Sequence, residues 1–532
     1  MKFEMEVCGT DAERGLMEDD CRDCLGCVSS PRFVFWPPKG FPSFPFRYIL
    51  YLMAGSILAL IGITTLIWNP VDLLLSERLK MVPGLPPYEW WKTPPDVVLL
   101  KAYVWNITNS EEFLRGETTK LRVQEVGPYI FREKFTHTNV VFHKNGTLTY
   151  VASRTAVFQP EMNTLNLNDT IIVANVAALG IPSYLWDASF FTRQGITFLM
   201  NRLGSKPFVK LTVDDYFWNF TDPLLKLSNN LLPFLVPTDN VGILHQVYHD
   251  FVDDVTVHIG PESGPKRNFF EINRWRGGPG LGVWENKTCD SVEGSSEGVH
   301  YHQDFRRNDT LRYLRKTICR AVSLYYTRDI ERYGMTAYRY ELPNNTYSRP
   351  ENPNEECYRA KRYPLLPSGI SDVSPCYFSL PIVSSFPHFM FADPQITDRL
   401  EGLTPDYEKH GSVATVEPMT GIPLIAWARS QCSLYIHNMK GFPRLKKFSN
   451  MAIPMFWLEY KQEGLPSYIS NLMYIVVVIL PASQFYISLG MIALSFFIFS
   501  YISSKIFNMC LISKKGFYKS MNVVVVKSKP MS

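Results

Sequence analysis

YILYLMAGSILALIGITTLIW, residues 48–68, carries no charged side chain and begins well inside the chain. At ~1.5 Å per helical residue it reaches ~31 Å, about the thickness of a hydrocarbon core, so it predicts a membrane-spanning helix. A cleaved signal would show a short basic start, a briefer apolar core and a small-residue cleavage point. Here a polar, Cys- and Pro-containing stretch precedes the run, which is therefore expected to remain as an anchor. Gly55 and Ala59, four apart, would admit a close helical neighbour, either the second span or a second copy of the chain. A second apolar zone, Leu465–Ser504, is also uncharged. As a single helix it would measure ~60 Å, twice a bilayer core, and Pro481 divides it. Its Val- and Ile-rich part, Met473–Leu480, predicts a strand, and Phe485–Ser504 predicts a second span. The expected order is a tail (1–47), a span (48–68), an ectodomain (69–484), a span (485–504) and a tail (505–532).

Charge and sequons decide the sides. The net charge is +4, but residues 1–30 balance to −5, residues 31–47 to +3 and the stretch after Ser504 to +6, which leaves 48–504 neutral. A neutral middle excludes nucleic acid as the main partner, because neutralising phosphates needs a basic surplus. Basic flanks beside both spans suit the cytosolic side. Asn-X-Ser/Thr occurs at Asn106, Asn145, Asn168, Asn219, Asn286, Asn308 and Asn344, and in neither tail. Both tails are expected in the cytosol and the middle in the lumen or outside the cell. Cys289, Cys319, Cys357, Cys376 and Cys432 then lie in the oxidising region. In the N-terminal tail, Cys21, Cys24 and Cys27 do not complete a tetrahedral zinc set, since only distant Cys8 could be the fourth ligand. Reversible S-acylation beside the membrane is the expectation, with unmodified thiols the alternative. In the other tail, Tyr518-Lys-Ser-Met521 matches a tyrosine-based sorting signal.

Between the spans, Val71–Met81 predicts a short amphipathic helix and the Pro-rich stretch Pro83–Pro95 a loop. From Val97 the pattern turns to β: Val97–Trp105, Leu121–Phe131, and the runs Val140–Lys144 and Thr147–Val151 around Asn145-Gly146, a strong hairpin signal. From Asp187 to Leu232 the pattern is helical. Asp187 is a candidate cap for a helix running toward Gly204, and Thr212 for the next.

Asn106-Ile-Thr-Asn109 leads to Gln124-Glu-Val-Gly-Pro-Tyr-Ile-Phe-Arg-Glu133, followed by Asn145-Gly-Thr147 and Phe158-Gln-Pro160. Further along come Cys319-Arg320, Gly369-Ile-Ser-Asp-Val-Ser-Pro-Cys376, Pro387-His-Phe389, Glu417-Pro-Met-Thr-Gly421 and Pro454-Met-Phe-Trp457. In this order, with both spans in place, the chain resembles the class B scavenger receptor family, which includes the fatty-acid translocase and lysosomal integral membrane protein branches. The resemblance implies an α+β membrane protein: a large mixed, mainly antiparallel β-barrel ectodomain with a membrane-distal helical cap near 185–235 and one transmembrane helix at each end. It also implies the pairs Cys289–Cys357 and Cys319–Cys376, with Cys432 free or buried. Spacing alone leaves three connectivities open for four cysteines. A further close-set bridge present in some members has no cysteines here.

Arg193, Arg202, Lys206 and Lys210 form a basic island without acids. It reads as a solvated helix face or, by the resemblance, as part of an apical site for anionic ligands. The glycine run Gly277–Gly282 lacks a following helix and reads as a loop, and His300, His302 and Asp304 lack a fourth metal ligand. There is no nucleophile elbow and no zincin helix, so neither enzyme activity nor a metal or cofactor is expected. The resemblance implies a receptor for lipids, lipoproteins or anionic particles that mediates uptake or transfer to the bilayer. An endosomal or lysosomal sorting or lipid-export receptor, and an adhesion or debris-recognition receptor without transport, are the alternatives. The expected location is the plasma membrane, with cycling through endosomes or lysosomes and self-association through the spans.

The topology is testable directly. Enzymatic deglycosylation should lower the apparent mass of the membrane-expressed chain, and protease on the cytosolic side should trim the tails while sparing 69–484. Bare asparagines with a digested middle would exclude this arrangement.

Overall fold

The computed structural model describes residues 46–233, 236–249, 252–260, 268–351, 356–360 and 362–524. Cys8, Cys21, Cys24 and Cys27 lie outside them, as do the side chains of Tyr518 and Met521. Residues 60–492 pack as one compact unit, and the described residues 46–59 and 493–524 as another.

In the larger unit the strands are β1 (Leu99–Ile107), β2 (Leu121–Phe142), β3 (Thr147–Phe158), β4 (Thr170–Ala174), β5 (Phe208–Thr212), β6 (Val252–His258), β7 (Ile272–Trp275) and β8 (Leu311–Arg315). They continue as β9 (Arg320–Arg332), β10 (Met335–Glu341), β11 (Ser371–Asp372), β12 (Ile382–Ser385), β13 (Leu400–Glu401), β14 (Val413–Val416), β15 (Pro423–Ile436) and β16 (Met451–Gln462). All but β4 and β5 join one mainly antiparallel sheet, ordered β7-β6-β3-β2-β1-β16-β15-β14-β10-β9-β8, with β11, β12 and β13 as branches. The first strand pairs with the last, Leu99 opposite Lys461 and Val104 opposite Phe456. The two edge strands meet through Ser295 and Ser296. Ile272 N–H donates to the Ser295 carbonyl at 2.7 Å, Ser296 N–H to Arg312 at 3.0 Å, and Leu314 N–H to Ser296 at 2.8 Å. That segment links the two edges of the sheet, covering part of each as a closed sheet requires. The expected hairpin turns at Asn145-Gly146, where Gly146 takes a left-handed φ of 70°.

The cap is built on helices Val176–Tyr184, Phe190–Leu203, Val213–Trp218 and Pro223–Leu231, with the β4–β5 pair interrupting the helical run that the sequence suggested. Ser189, not Asp187, caps the second of these: its Oγ accepts from Thr192 N–H at 3.2 Å, while Asp187 accepts from Arg362. Thr212 caps the third as expected, accepting from Asp215 N–H at 3.1 Å. Gly204, at φ 66°, ends the Phe190–Leu203 helix.

Two helices are long and apolar enough to cross a membrane, Phe46–Ile67 and the continuous stretch Ser467–Ile512. The strand expected over Met473–Leu480 is therefore corrected. Helix Ser467–Tyr474 passes through a π turn, Ile475–Ile479, into helix Leu480–Val524. A β-branched run favours strands only weakly, and chain entering a bilayer must satisfy its backbone internally, which a helix does. The π turn also takes up the missing N–H and the ring of Pro481. Pro83–Pro95 is likewise not all loop, because Pro86 and Pro87 open a helix, Pro86–Lys92.

The neighbour that packs on the first span is the second span. In the larger unit, Thr65 and Ser488 hydroxyls bond at 2.8 Å. Gln484 Nε2 donates to the Thr65 carbonyl at 2.9 Å and its Oε1 accepts from Val71 N–H at 3.1 Å. In the smaller unit Ser495 Oγ donates to the Gly55 carbonyl at 2.7 Å. Such small and polar contacts hold helices together where lipid offers no hydrophobic drive. A Cβ on Gly62 would lie 2.8 Å from Ile492 Cγ1 and 3.1 Å from the Ser488 carbonyl oxygen, whereas one on Gly490 would meet nothing within 4 Å. Gly62→Leu should cost roughly 1–3 kcal/mol of stability by overpacking, read as a lowered melting temperature of the detergent-solubilised chain. Gly490→Leu should leave it unchanged.

Candidate functional site

A cavity of about 410 Å³ lies in the larger unit, within the usual range for ligand sites. Its walls are mostly apolar. Moving along the chain away from the second span, Leu480, Val476, Leu472, Ile469 and Tyr460 line it in turn. Leu74, from the helix Pro70–Arg78 that follows the first span, lines it too. Leu74 and Leu472 are 49% and 38% exposed, which marks the mouth. Tyr347, Leu342 and Val322 are buried at its inner reaches. Sequence reading does not find this site, because its residues are scattered from 74 to 480 and each looks like ordinary core.

One wall is charged. Glu133, Arg154, Glu297, Tyr313, Arg315 and Tyr460 line this cavity and also a second one of only about 20 Å³. Tyr248 OH donates to Glu133 Oε1 at 2.9 Å, and Tyr150 OH donates to Glu297 Oε2. Glu133 Oε2 is buried without a hydrogen-bond partner among the described residues. Burial raises the Glu133 carboxyl above the usual range against the opposing pull of Arg154. The Arg154 guanidinium lies over the Phe135 ring at 4.4 Å.

The basic island is divided by the fold. Arg202, Lys206 and Lys210 are exposed, while Arg193 is half-buried against Gly441 and reaches the Trp186 carbonyl at 3.4 Å. The segment 440–447 packs on the same helix, Arg444 donating to Asn201 Oδ1, and adds exposed Lys440, Arg444 and Lys446. None of these six exposed cations pairs with a carboxylate among the described residues. Phe190, Phe191 and Phe198 on that helix are more than half exposed. The 440–447 contribution is invisible in sequence, since more than 200 residues separate it from the helix it meets.

Cys289 is bonded to Cys357 and Cys319 to Cys376, with Cα separations of 5.3 and 6.4 Å. Cys432 is buried as a free thiol, its pKa pushed up to about 12 by burial. Six of the sequon asparagines are exposed: Asn145, Asn168, Asn219, Asn286, Asn308 and Asn344. Asn106 is half-buried and its Oδ1 accepts from Ile172 N–H at 2.9 Å. His300 and His302 are not drawn together: they stack on Phe270 and Phe305 respectively.

Glu125, His388 and His410 do place ligand atoms within 4.8 Å of one another, the donor set of a His₂Glu zinc centre. Their hydrogen bonds oppose a metal. Thr404 N–H donates to His388 Nδ1 and Asp406 N–H to His410 Nδ1, both at 2.9 Å. Each ring therefore carries its proton on Nε2, the atom a metal would need. His388 Nε2–H donates to Glu125 Oε2 at 2.7 Å, and Trp457 Nε1–H does so at the same distance.

The sequence model of the CD36 family matches residues 53–505. The Sus scrofa protein named scavenger receptor class B member 1 is 28% identical over 409 residues, 76% of this chain and 78% of its own length. The Bos taurus protein of the same name is 26% identical over 446 residues, 83% and 85% of the two chains. Homo sapiens lysosome membrane protein 2 is 28% identical over 411 residues, 77% and 83%.

Three histidines, His410 and His437 buried and His300 partly buried, set a pH dependence. His300, His410 and His437 are pushed down to about 4, chiefly by burial and for His410 also by His388 beside it. Above the free value of about 6.5 neither folded nor unfolded chain is protonated at these rings. As pH falls below it, the unfolded chain takes up protons that the folded one refuses, so stability drops until about pH 4. For His300 alone the loss is on the order of 3 kcal/mol. The melting temperature should fall between pH 6.5 and pH 4, and His300→Phe should flatten that fall.

Proposed function

The chain belongs to the CD36 family, and from that premise we propose that it is a two-span membrane glycoprotein receptor that binds lipids or lipid-rich particles and passes lipid between its cavity and the bilayer. The observation that carries this reading is the apolar cavity whose mouth is built from the two helices adjoining the spans. A poorly soluble molecule leaving the bilayer there stays out of water, which is where the free energy of transfer lies. The exposed cations at the cap supply a separate function: attraction of anionic particles, which acts over about a Debye length of ~8 Å at physiological salt. In this reading both tails are cytosolic, and the protein resides at the cell surface and cycles through endosomes. Residence in the lysosomal membrane is the second reading, favoured by the likeness to lysosome membrane protein 2.

The two functions separate by mutation. Ala428 lines the cavity, and Ala428→Trp should cut labelled-lipid transfer into cells roughly tenfold while leaving binding of anionic particles intact. The double change Arg202→Glu, Lys206→Glu should do the reverse. Unchanged lipid transfer with the cavity filled would remove the transport reading.

A further inference from the structure

His388 and His410 hold a stretch of surface chain through bonds that exist only while both rings are neutral. Thr404, Pro405, Tyr407, Glu408 and Lys409 are exposed, yet the chain there is tied inward. His388 Nδ1 accepts from Thr404 N–H and His410 Nδ1 from Asp406 N–H, both at 2.9 Å. The two rings are 3% and 4% exposed and stack at 4.3 Å, 25° from parallel. Their direction is fixed by the body of the fold. His388 N–H donates to Gln431 Oε1 at 3.0 Å and its Nε2–H to Glu125 Oε2 at 2.7 Å, while the Trp457 indole meets the His410 ring edge-on at 5.6 Å. Arg429 Nη1, reaching the Glu408 carbonyl at 3.2 Å, and Tyr407 OH, donating to Glu341 Oε2 at 2.6 Å, also tie the stretch down.

We propose that segment 404–409 is an acid-released latch: protonation of His388 and His410 withdraws the two ring acceptors and frees this stretch from the body of the fold. A neutral imidazole offers one acceptor and an imidazolium none, so the added N–H would face the backbone N–H now bound there. Turning the His388 ring over does not help, because it gives up the bond to Glu125. The charges facing the pair are Glu125 on β2, Arg429 on β15 and Asp406 in the stretch itself. Glu459 of β16 and Lys101 of β1 lie behind Arg429, and Tyr103 of β1, stacked on Trp457 at 3.8 Å, stays a neutral phenol. Glu125 balances one added proton; the second ring, stacked on the first and facing Arg429, is opposed by both. Burial and the facing His388 push the His410 ring down to about 4, against about 6.5 for a ring released to water. Acid therefore favours the released form. The latch goes beyond the receptor reading: it gives a protein that cycles through endosomes one face at neutral pH and another in acid.

Hydrogen–deuterium exchange of the full-length chain in lipid nanodiscs, at about pH 7.4, 5.5 and 4.5 and corrected for the intrinsic pH dependence of exchange, reads the latch. Protection of the amides of 404–411 should fall roughly tenfold by about pH 5.5 and roughly 70-fold by about pH 4.5, while β15 and β16 stay protected. His410→Asn sets an amide oxygen close to where Nδ1 stands and does not titrate. It should keep the protection at neutral pH and cut the acid loss at least roughly tenfold. Unchanged protection across the series overturns the latch. A loss absent at about pH 5.5 and appearing only near 4.5 assigns control to the Glu341 carboxylate and overturns it too. Exchange of β15 and β16 in step with 404–411 means general unfolding, which also overturns it, as does a His410→Asn chain that responds to acid as steeply as the unaltered one. The pH series on the unaltered chain needs no variant to fold.

Discussion

The antiparallel pairing of β1 with β16 is the constraint on which the rest depends. Leu99 faces Lys461, so the chain enters and leaves the sheet at the same end of the strands. A parallel pairing would put those two points a strand apart, ~20 Å for six paired residues. Because the points coincide, the connectors on either side, helices Pro70–Arg78 and Ser467–Tyr474, line one cavity. They supply the mouth of the cavity, and the same geometry lets Thr65 reach Ser488. The helix pairing and the cavity mouth are thus two consequences of one strand register.

Two buried arginines show how differently the same residue can be used. Arg429 is saturated: its Nε donates to Glu459 Oε2 at 2.6 Å, Lys101 approaches the other carboxylate oxygen at 3.5 Å, and Nη1 reaches the carbonyls of Glu408 and Gly411. Such a site closes on itself and holds β15 to β16. Arg315, about as buried, makes only long hydrogen bonds and lines the cavity on its charged wall. Since a well-packed hydrophobic group is usually as stabilising as a buried ion, the stability of the barrel alone gives no reason to keep a cation there.

The parts of the fold legible in sequence are those set by local chemistry. An uncharged run of membrane length, an Asn-Gly between alternating stretches and a Thr cap at 212 each announce themselves within a few residues. The errors share one cause, which is that surroundings outweigh propensity. Ile475–Ile479 is β-branched but lies where chain enters a span, and Pro86–Lys92 is Pro-rich but starts a helix. The candidate site was the least legible. The charged wall joins residues 133, 154, 297, 313, 315 and 460, brought together by ladders between strands far apart in the chain. Of the basic island, sequence found four members but could not know that Arg193 packs inward against Gly441 or that 440–447 joins the helix.

The net neutrality of residues 48–504 conceals a separation of charge that matters for how a receptor of the proposed kind would work. Exposed cations at the cap are unpaired among the described residues and act on any large anionic surface, since screened attraction at that range distinguishes little beyond sign. Arg315 on the cavity wall is 5% exposed and acts in a lower dielectric, where a hydrogen bond gained or lost matters more. Attraction without discrimination therefore belongs to the exposed cations, and the buried one answers to its immediate neighbours. If the two were exchanged, an exposed Arg315 would be screened and unselective, and the cap cations, buried without partners, would carry a large desolvation cost.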